Sequence, residues 1–370
     1  MKIRPLFLTL SILLICLIPQ NSHPCTTFCL DKGEQLVVGN NMDWMIGDGL
    51  VVVNKRNVSK TAMLLPEWGE GQPASWTSKY GSVTFNFVGR EFPFGGMNEA
   101  GLVITCMWLE ITEYPDLDSR PSISVEQWKQ YQLDNFCTVQ EVLASDSQIR
   151  IATKSLAKIH FLVSDRMGNC AIIEFLGGKM IYYTKETMPA NALANITYKE
   201  SVDFWQEGKL PTSNMWNSAQ RFATAADMMK KYNVKTSKLA ADYAFDILTN
   251  VSQEVVEEII DGVPIRSAVV TEWSIVYDIK NLRVYFHTFD NKKIRYIDLN
   301  SLDFSCKTPV KVLDILEDLF GDVSNKFVNY TYKINRELVG KTKYLPDNFF
   351  RTDNFLDDIA KYPDTTVCAE

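Results

Sequence analysis

The sequence predicts an α+β protein in which stacked antiparallel sheets are flanked by helices. Strand-like segments occur early in the chain, helical periodicity follows in the middle, and further strand-like segments come after it. No stretch rich in proline, glycine and serine separates these regions. We therefore expect one domain over residues 25–370, with helical decoration over about residues 310–370.

The first elements are predicted to form a β-hairpin. The segments CTTFCL and QLVVGNNMDW are separated by a turn over Asp31–Glu34. Strand composition recurs along the chain in Ser82–Val88, in GLVITCMWL after a Gly-rich turn, and in KIHFLVSD, NCAIIEF, KMIYYT, SIVYDI, LRVYFHTF and KIRYIDL. Short strands joined by turns of this kind favour antiparallel pairing.

Three regions have helical spacing. Residues 123–146 form the first, and Ser122 or Ser124 is in position to cap its N-terminus. Asn217–Tyr232 and Lys238–Asn250 are amphipathic, with one apolar face each. Helices of this kind can cover the outer faces of the predicted sheets.

The first 24 residues have the organisation of a secretory signal peptide. Lys2 and Arg4 precede an apolar run over Leu6–Ile18, and the polar stretch Gln20–Pro24 follows it. The apolar run is too short to span a membrane comfortably. We therefore expect residues 1–24 to be a removable leader and the mature protein to be exported, periplasmic or secreted.

A mature chain that begins at Cys25 carries a thiol and a free α-amine on one residue. An α-amine has an unperturbed pKa of about 7.7–8.0, which suits a general base for a thiol that is mostly protonated at neutral pH. Pro24 is unfavourable for direct cleavage by a signal peptidase. Cleavage after Ser22, with a second or autocatalytic step removing His23 and Pro24, is the other route, and the sequence leaves both open.

The cysteine count is compatible with a free thiol at Cys25. The chain has eight cysteines, Cys16 leaves with the leader, and seven remain. An odd number leaves at least one thiol unpaired in an exported protein, although Cys25 could also be half of a disulfide. Cys29 and Cys106 lie in apolar strand-like runs, where buried structural thiols are expected. The sequence does not predict which cysteines pair.

Composition excludes several classes of partner. The formal charge is −7, and loss of Lys2 and Arg4 without any acid makes it −9 after processing. An acidic chain without a basic block does not favour binding to nucleic acid or to an anionic membrane. No second apolar stretch reaches the roughly 18 residues of a membrane helix. No cysteine or histidine spacing indicates a metal site, and no cofactor is expected.

The chain offers few histidines for a conventional Cys–His pair. Of the three present, His23 lies in the leader, and His160 and His287 lie among apolar strand residues, where buried structural roles are typical. A secreted Cys–His protease would require one of the latter two beside the thiol. A cysteine that uses its own α-amine needs neither, so this composition favours an N-terminal nucleophile.

Five segments between Cys25 and about Leu302 form an ordered set of motifs: CTTFCLDKGEQLVVGNNMDW, MNEAGLVITCMWLEITEYP, LANITY, NSAQRF and TEWSIVYDIKNLRVYFHTFDNKKIRYIDL. In this order they resemble the choloylglycine hydrolase family, which includes penicillin V acylases and bile salt hydrolases. The resemblance implies a four-layer αββα N-terminal nucleophile hydrolase sandwich that cleaves linear amide C–N bonds without a cofactor. It also implies a homo-oligomer, usually a tetramer in relatives.

The same resemblance implies four catalytic roles. Cys25 matches the nucleophile, and Asp43 matches the aspartate that orients it and holds the α-amine. Asn195 matches the asparagine of the oxyanion hole, and Arg221 matches a helix arginine close to the thiol. Without the resemblance, Asp43 would be expected to be a turn or cap residue at the end of a strand. Arg221 would be expected to be a solvent-exposed charge on a helix.

Three further residues are expected to bind substrate. Asn40 stands where the family usually has an arginine, which removes a positive charge near the thiol. Trp108 stands where bile salt hydrolases have an asparagine, and Trp44 and Trp108 resemble the pocket tryptophans of Gram-negative penicillin V acylases. A tryptophan in a strand is otherwise a core residue. The expected substrates are therefore, in order, amides like penicillin V, N-acyl homoserine lactones and conjugated bile acids.

The predicted function is that of an exported hydrolase of small-molecule amides with an apolar or aromatic acyl group. The alternative is a catalytically silent family member that binds an acyl amide, and Asn40 in place of arginine is the feature that favours it. Rapid, pH-dependent alkylation of Cys25 would distinguish the two.

Overall fold

A computed structural model describes residues 25–64, 70–155, 157–208, 214–234, 239–254, 257–260, 263–266, 269–344 and 353–369. The predicted leader, residues 1–24, lies outside the described residues. The helices are α1 (Val125–Asn135), α2 (Val139–Ala144), α3 (Tyr198–Gln206), α4 (Ser218–Lys231), α5 (Ala240–Asn250), α6 (Tyr332–Lys341) and α7 (Asp353–Lys361).

The strands are distributed along the described ranges, nine before α1 and the others among the later helices. They are β1 (Thr26–Lys32), β2 (Gln35–Trp44), β3 (Leu50–Asn54), β4 (Val58–Thr61), β5 (Ser75–Thr77), β6 (Ser82–Asn86), β7 (Gly95–Asn98), β8 (Val103–Trp108), β9 (Ser122–Ile123), β10 (Arg150–Ile151), β11 (Ile159–Ser164), β12 (Cys170–Leu176), β13 (Lys179–Thr184), β14 (Ala192–Leu193), β15 (Glu257–Ile260), β16 (Val263–Arg266), β17 (Val270–Asp278), β18 (Arg283–Thr288), β19 (Arg295–Asp298), β20 (Lys311–Asp314), β21 (Gly321–Asp322), β22 (Val328–Asn329) and β23 (Val367–Cys368).

Two large sheets form the centre of the fold. The first has the order β14-β1-β2-β17-β18-β19-β21, and the second has the order β13-β12-β11-β8-β7-β6-β3-β20-β22. Helices α4 and α5 contact β1, β2 and β17 of the first sheet, α1 contacts β7 and β8 of the second, and β1 contacts β8 and β11 across the sheet interface. This arrangement confirms the predicted α+β class, because two sheets lie between helices and are antiparallel except for the parallel pairing of β21 with β19.

The core between the sheets is rich in aromatic side chains. The ring of Phe85 on β6 lies 6.4 Å from that of Trp273, 6.2 Å from that of Tyr277 and 5.5 Å from that of Phe286, all on the first sheet. Such pairs stabilise a core beyond the area that they bury. The two sheets are thereby fixed face to face, and the strands that carry the site are held rigidly.

Hairpin pairing places the N-terminal strand inside the first sheet. Strand β1 pairs with β2 from Thr26 opposite Asn41 to Lys32 opposite Gln35, as the predicted turn requires. Gly39 on β2 lies opposite Phe28, whose ring occupies the space that a Cβ at position 39 would need. Cys25 therefore stands at the start of a buried central strand.

The predicted helix over residues 123–146 is divided into α1 and α2. Ser124 caps α1, as expected, by accepting a hydrogen bond from the N–H of Gln127. Phe136 then adopts an extended conformation and Thr138 begins a new capping box with Glu141. The local capping chemistry ends one helix and starts the next, although the apolar spacing continues through both.

The segment after residue 310 contains both strands and helices. Strand β20 pairs with β3 at one end of the second sheet, and α6 and α7 pack against each other. Val88 and Phe92 form an apolar cluster with Val339 of α6 and Ile359 of α7. The C-terminal segment is thus continuous with the main fold.

One disulfide joins the C-terminal strand to the loop after β19. Cys306 and Cys368 are bonded and lie 62 residues apart in the chain. Cys29 and Cys106 are buried free thiols, as predicted, and Cys25, Cys137 and Cys170 are also free. The pairing leaves the thiol of Cys25 available for chemistry.

Replacing Cys368 with serine should lower the free energy of unfolding by about 2–4 kcal/mol, because the crosslink restricts the unfolded chain. Denaturation with and without reductant measures this. The wild type should lose stability on reduction, and Cys368→Ser should not. Cys137→Ser is the control and should respond to reductant like the wild type. Equal stabilities of Cys368→Ser and the oxidised wild type would contradict the prediction.

Candidate active site

The thiol of Cys25 is buried at the edge of a cleft. Its side chain is 4% exposed, and Sγ lies 3.9 Å from the carbonyl oxygen of Asp43. Burial raises the pKa of this thiol well above its ordinary value, and the charge of Asp43 raises it further, while Arg221 acts in the opposite direction. The thiol is therefore protonated at neutral pH and needs a nearby base to react.

Asp43 lies in β2 and is completely buried. Its Oδ1 accepts a 2.5 Å hydrogen bond from the hydroxyl of Thr271, which stands opposite it on β17. Burial raises the pKa of Asp43 to about 7, and Arg221 and the Thr271 bond oppose that increase. Its Oδ2 has no hydrogen-bond partner among the described residues. A buried acceptor is thus available beside the nucleophile.

Arg221 connects the nucleophile strand to the loop that carries Asn195. It projects from α4 and is completely buried. Nε donates to the hydroxyl of Thr26 at 3.0 Å, and Nη2 donates to Oδ1 of Asn195 at 2.6 Å and to the carbonyl of Cys25 at 3.5 Å. Burial lowers its pKa to about 10, and Asp43 opposes this. It therefore remains a cation at neutral pH.

Asn195 has its amide oriented by contacts on both sides. Arg221 occupies its Oδ1, and its Nδ2 donates to the carbonyl of Trp108 at 3.0 Å. The backbone N–H of Asn195 donates to the hydroxyl of Ser218 at the start of α4. An amide nitrogen carries two hydrogens, so one N–H of Nδ2 is left for another acceptor.

A buried pair fixes the backbone around Asn195. His160 is completely buried, and its Nε2 lies 2.6 Å from the carbonyl of Ala194. Its Nδ1 lies 3.1 Å from Oε1 of Glu174, which also accepts the backbone N–H of Tyr198 at 2.7 Å. The pair thus contacts the chain on either side of Asn195.

The other candidate histidine lies in the first sheet. His287 is stacked on Phe245 with ring centroids 5.4 Å apart. Burial lowers its pKa to about 4. The described hydrogen bonds of His160 and His287 do not include one to Cys25. Both are structural in this fold, as their apolar surroundings in the sequence predict.

An apolar cleft opens from Cys25. It contains about 710 Å³ of empty space including its mouth, and its lining residues are Cys25, Met42, Trp44, Phe87, Val88, Phe92, Pro93, Phe94, Cys106, Met107, Trp108, Glu126, Lys129, Ala157 and Ile159. The ring of Trp44 lies 5.7 Å from that of Phe87. An apolar lining of this kind suits the apolar part of a small molecule.

Asn40 is not among the residues that line the cleft. It is completely buried, and its Nδ2 donates to the carbonyl oxygens of Thr26 and Asn41, each at 3.3 Å. The same nitrogen lies 4.0 Å from the sulfur of Met107, so Asn40 contacts the cleft wall without lining it. The structure therefore does not bring this residue together with the two tryptophans.

Thr26 and Thr271 also belong to the site and were not singled out from the sequence. Thr26 directly follows Cys25 in the sequence, and this adjacency is the signal that places it at the site. There it accepts a hydrogen bond from Arg221. Thr271 lies 228 residues from Asp43 and reaches it only through the pairing of β17 with β2. No local pattern predicts that pairing. Glu126 and Lys129 of the cleft were likewise part of an ordinary helical pattern.

The described ranges contain no group of three or more histidine, cysteine, aspartate and glutamate side chains that could hold a metal ion. Among the same residues, no helix has the length and apolarity needed to cross a membrane.

The two-sheet sandwich and the buried thiol at its first strand define the class of N-terminal nucleophile amide hydrolases. The family model of linear amide C–N hydrolases, choloylglycine hydrolase family, matches residues 25–207 and 199–312. The chain therefore belongs to the choloylglycine hydrolase family and is a linear amide C–N hydrolase, as its motifs predict.

Known relatives agree with this assignment. A penicillin V acylase from Pectobacterium atrosepticum is 32% identical over 270 residues, which cover 64% of this chain and 71% of that protein. The structure of penicillin V acylase from Agrobacterium tumefaciens has a TM-score of 0.68 and 26% identity, covering 83% of this chain and 98% of that one. A variant of conjugated bile acid hydrolase from Clostridium perfringens shares the fold, with a TM-score of 0.66, 18% identity and coverage of 80% and 98%.

Replacing Arg221 with methionine should reduce kcat/KM by about 100-fold or more, because Asn195 loses its anchor. The acidic limb of the pH profile that Asp43 contributes should move to higher pH. Arg221 lowers the pKa of Asp43, so its loss raises that pKa further above 7 and leaves less carboxylate at a given pH.

Arg221→Lys keeps the cation without the planar fork and should lose activity with a smaller displacement of the acidic limb. Arg166→Met removes an exposed arginine and is the control, with neither effect expected. Loss of activity in Arg221→Met with an unmoved acidic limb would show that the charge of Arg221 does not act on Asp43.

Proposed function

We propose that this family member is exported and that its mature form uses Cys25 as an N-terminal nucleophile on amides with an apolar or aromatic acyl group. The observation that carries the proposal is the clustering of Asp43, Arg221 and Asn195 beside Cys25, whose side chain lines an apolar cleft. Each group has a distinct chemical task in acyl transfer.

Activation begins with the α-amine of the mature chain. The buried thiol is protonated, and an uncharged α-amine on the same residue can accept its proton. Oδ2 of Asp43 is an acceptor suited to the ammonium group that results. Asp43 thereby orients the amine and stabilises its charged form. An amide nitrogen within a longer chain cannot act in this way, so activity depends on removal of Pro24.

Acylation follows when the sulfur attacks the carbonyl carbon of the substrate. The C–S bond forms as the carbonyl π electrons move to oxygen, and the remaining Nδ2 hydrogen of Asn195 donates to that oxyanion. The intermediate then collapses, the C–N bond breaks, and the ammonium of Cys25 gives its proton to the leaving amine. The product is a thioester of Cys25 and a free amine.

Deacylation repeats these steps with water as the nucleophile. The α-amine takes a proton from water as the water oxygen attacks the thioester carbon, and Asn195 again stabilises the oxyanion. Collapse breaks the C–S bond, and the sulfur recovers its proton from the ammonium. The carboxylic acid leaves and Cys25 is regenerated.

The wall of the cleft supports an apolar or aromatic acyl group. Trp44, Phe87 and Trp108 line it together with Cys25, so the acyl group would lie against aromatic rings while its carbonyl reaches the thiol. We order the substrates as amides like penicillin V, N-acyl homoserine lactones and conjugated bile acids. The identity with a penicillin V acylase supports the first place in this order.

The mature protein should begin at Cys25. Intact-mass and N-terminal analysis of the protein secreted or exported by its host, or by a heterologous host, measures this. Retention of His23 and Pro24 in a fully active protein would contradict the mechanism, since the amine would then be part of a peptide bond. Placing an additional alanine between Pro24 and Cys25 should give a mature protein without activity if the alanine is retained.

Cys25→Ala should abolish hydrolysis of penicillin V, glycocholate and a long-chain N-acyl homoserine lactone, because Cys106, the other free thiol of the cleft, has no α-amine to activate it. Asn195→Ala should lower kcat by about 100- to 1,000-fold through loss of the oxyanion donor. His287→Ala is the control and should keep most activity, since its ring stacks on Phe245 away from the thiol. Turnover of any of these amides by Cys25→Ala at the wild-type rate would overturn the assignment.

A further inference from the structure

The residues that line the cleft come from both faces of the second sheet. Strand β7 pairs with β8 only at Gly96–Ile104 and Met97–Val103, so the later part of β8 is not paired with β7. In this part, Cys106 donates to the carbonyl of Phe94 at 3.1 Å, and both residues line the cleft. The end of a short strand thus leaves an opening beside Cys106.

The opening leads to helix α1. Thr105 faces the first sheet, because its hydroxyl lies 3.0 Å from that of Thr27. Side chains alternate along a strand, so its neighbour Cys106 points to the opposite face, which α1 covers. Glu126 and Lys129 of α1 line the same cleft as Cys25. The cleft therefore runs from the nucleophile to a polar end on the far side of the sheet.

This polar end has unused hydrogen-bonding capacity. Glu126 is 8% exposed, its Oε1 accepts the backbone N–H of Ala157 at 3.1 Å, and its Oε2 has no partner among the described residues. Lys129 is 4% exposed, and its described hydrogen bond, to the carbonyl of Val125 at 3.4 Å, uses one of three ammonium hydrogens. A buried polar atom without a partner destabilises the empty site.

Burial raises the pKa of the Glu126 carboxyl, and Lys129, nearby backbone N–H groups and the side chain of Ser124 oppose that effect. Among the described residues, the buried ion cluster of Lys60 with Glu91 and Asp134 is separate from this pair. A group that donates to Glu126 Oε2 and accepts from Lys129 Nζ would satisfy both side chains. A hydroxyl has both capacities in one atom.

We propose that Glu126 and Lys129 form a subsite for a hydroxyl at the far end of the acyl group, on an alkyl chain or an aromatic ring. The hydroxyl donates to Oε2 of Glu126 and accepts from Nζ of Lys129, while the apolar part of the acyl group lies between the subsite and Cys25. This deepens the proposed function and rests on it, because it assigns the acyl group to this cleft.

The test compares amides that differ only in this hydroxyl. Matched p-nitroanilides from hexanoyl to dodecanoyl, with and without a terminal hydroxyl, are hydrolysed by the mature enzyme, together with the phenoxyacetyl and 4-hydroxyphenoxyacetyl pair. At one acyl length kcat/KM should be about tenfold or more higher for the hydroxylated member, as expected for a hydrogen bond to a charged group.

Variants assign the preference to the subsite. Glu126→Gln keeps the size of the side chain and the contact with Ala157 but replaces the free acceptor with a donor, and Lys129→Met removes the ammonium. Each should bring the ratio of the two kcat/KM values close to one. Glu337→Gln on the exposed face of α6 is the matched control and should keep the wild-type ratio. A ratio near one at every length in the wild type, as when water alone occupies the subsite, would overturn the inference.

A binding measurement separates this inference from the proposed reaction. Calorimetric titration of Cys25→Ala with the paired carboxylic acids reports the preference without turnover. If neither amide is hydrolysed but the hydroxylated acid binds more tightly and Glu126→Gln in the same background removes that difference, the subsite stands and the reaction fails. If plain amides are hydrolysed and no preference is found in either measurement, the reaction stands and the subsite fails.

Discussion

The buried guanidinium of Arg221 is the interaction on which the site depends. Taking a cation out of water costs several kcal/mol, and this cost is offset only if its hydrogens are well paired. Here the partners belong to three separate parts of the chain: Thr26 and Cys25 at the first strand, Asn195 before α3, and Met215 before α4. The positions of Cys25, Asn195 and helix α4 therefore all depend on this one buried side chain.

The charges and the burial around Arg221 together determine the protonation state of the Cys25 thiol. Arg221 favours the thiolate, but burial and Asp43 outweigh it and keep the thiol of Cys25 neutral. Both candidate histidines are committed to the fold, one beside Glu174 and one on Phe245. The base proposed above, the α-amine of Cys25, requires no other side chain to enter the cleft.

Much of the fold followed from patterns that are local in the chain. The hairpin after Cys25 and the cap at Ser124 depend on residues that are adjacent in the sequence, so turn and capping chemistry predicted them. The break at Phe136 was not predicted because apolar spacing continues across it. Pairing of Thr271 with Asp43 depends on which strands become neighbours, and the polar end of the cleft depends on where β7 stops. These are properties of the assembled sheets.

The site residues divide in the same way. Ordered motifs identified Cys25, Asp43, Asn195 and Arg221, and the structure brings these four together. Asn40 was placed near the substrate because of its distance from Asp43 in the sequence, but its side chain is directed at backbone oxygens. Asn40 shares a face of β2 with Met42 and Trp44, which do line the cleft, so its place along the strand and not its face keeps it out of the lining.

Trp108 serves the site in two independent ways. Its carbonyl oxygen holds the amide of Asn195, while its indole forms part of the cleft wall. The first contact belongs to the main chain and is available to any amino acid at this position, whereas the second belongs to the side chain. A lineage could therefore exchange one acyl preference for another by substitution at this codon while every intermediate keeps its catalytic apparatus.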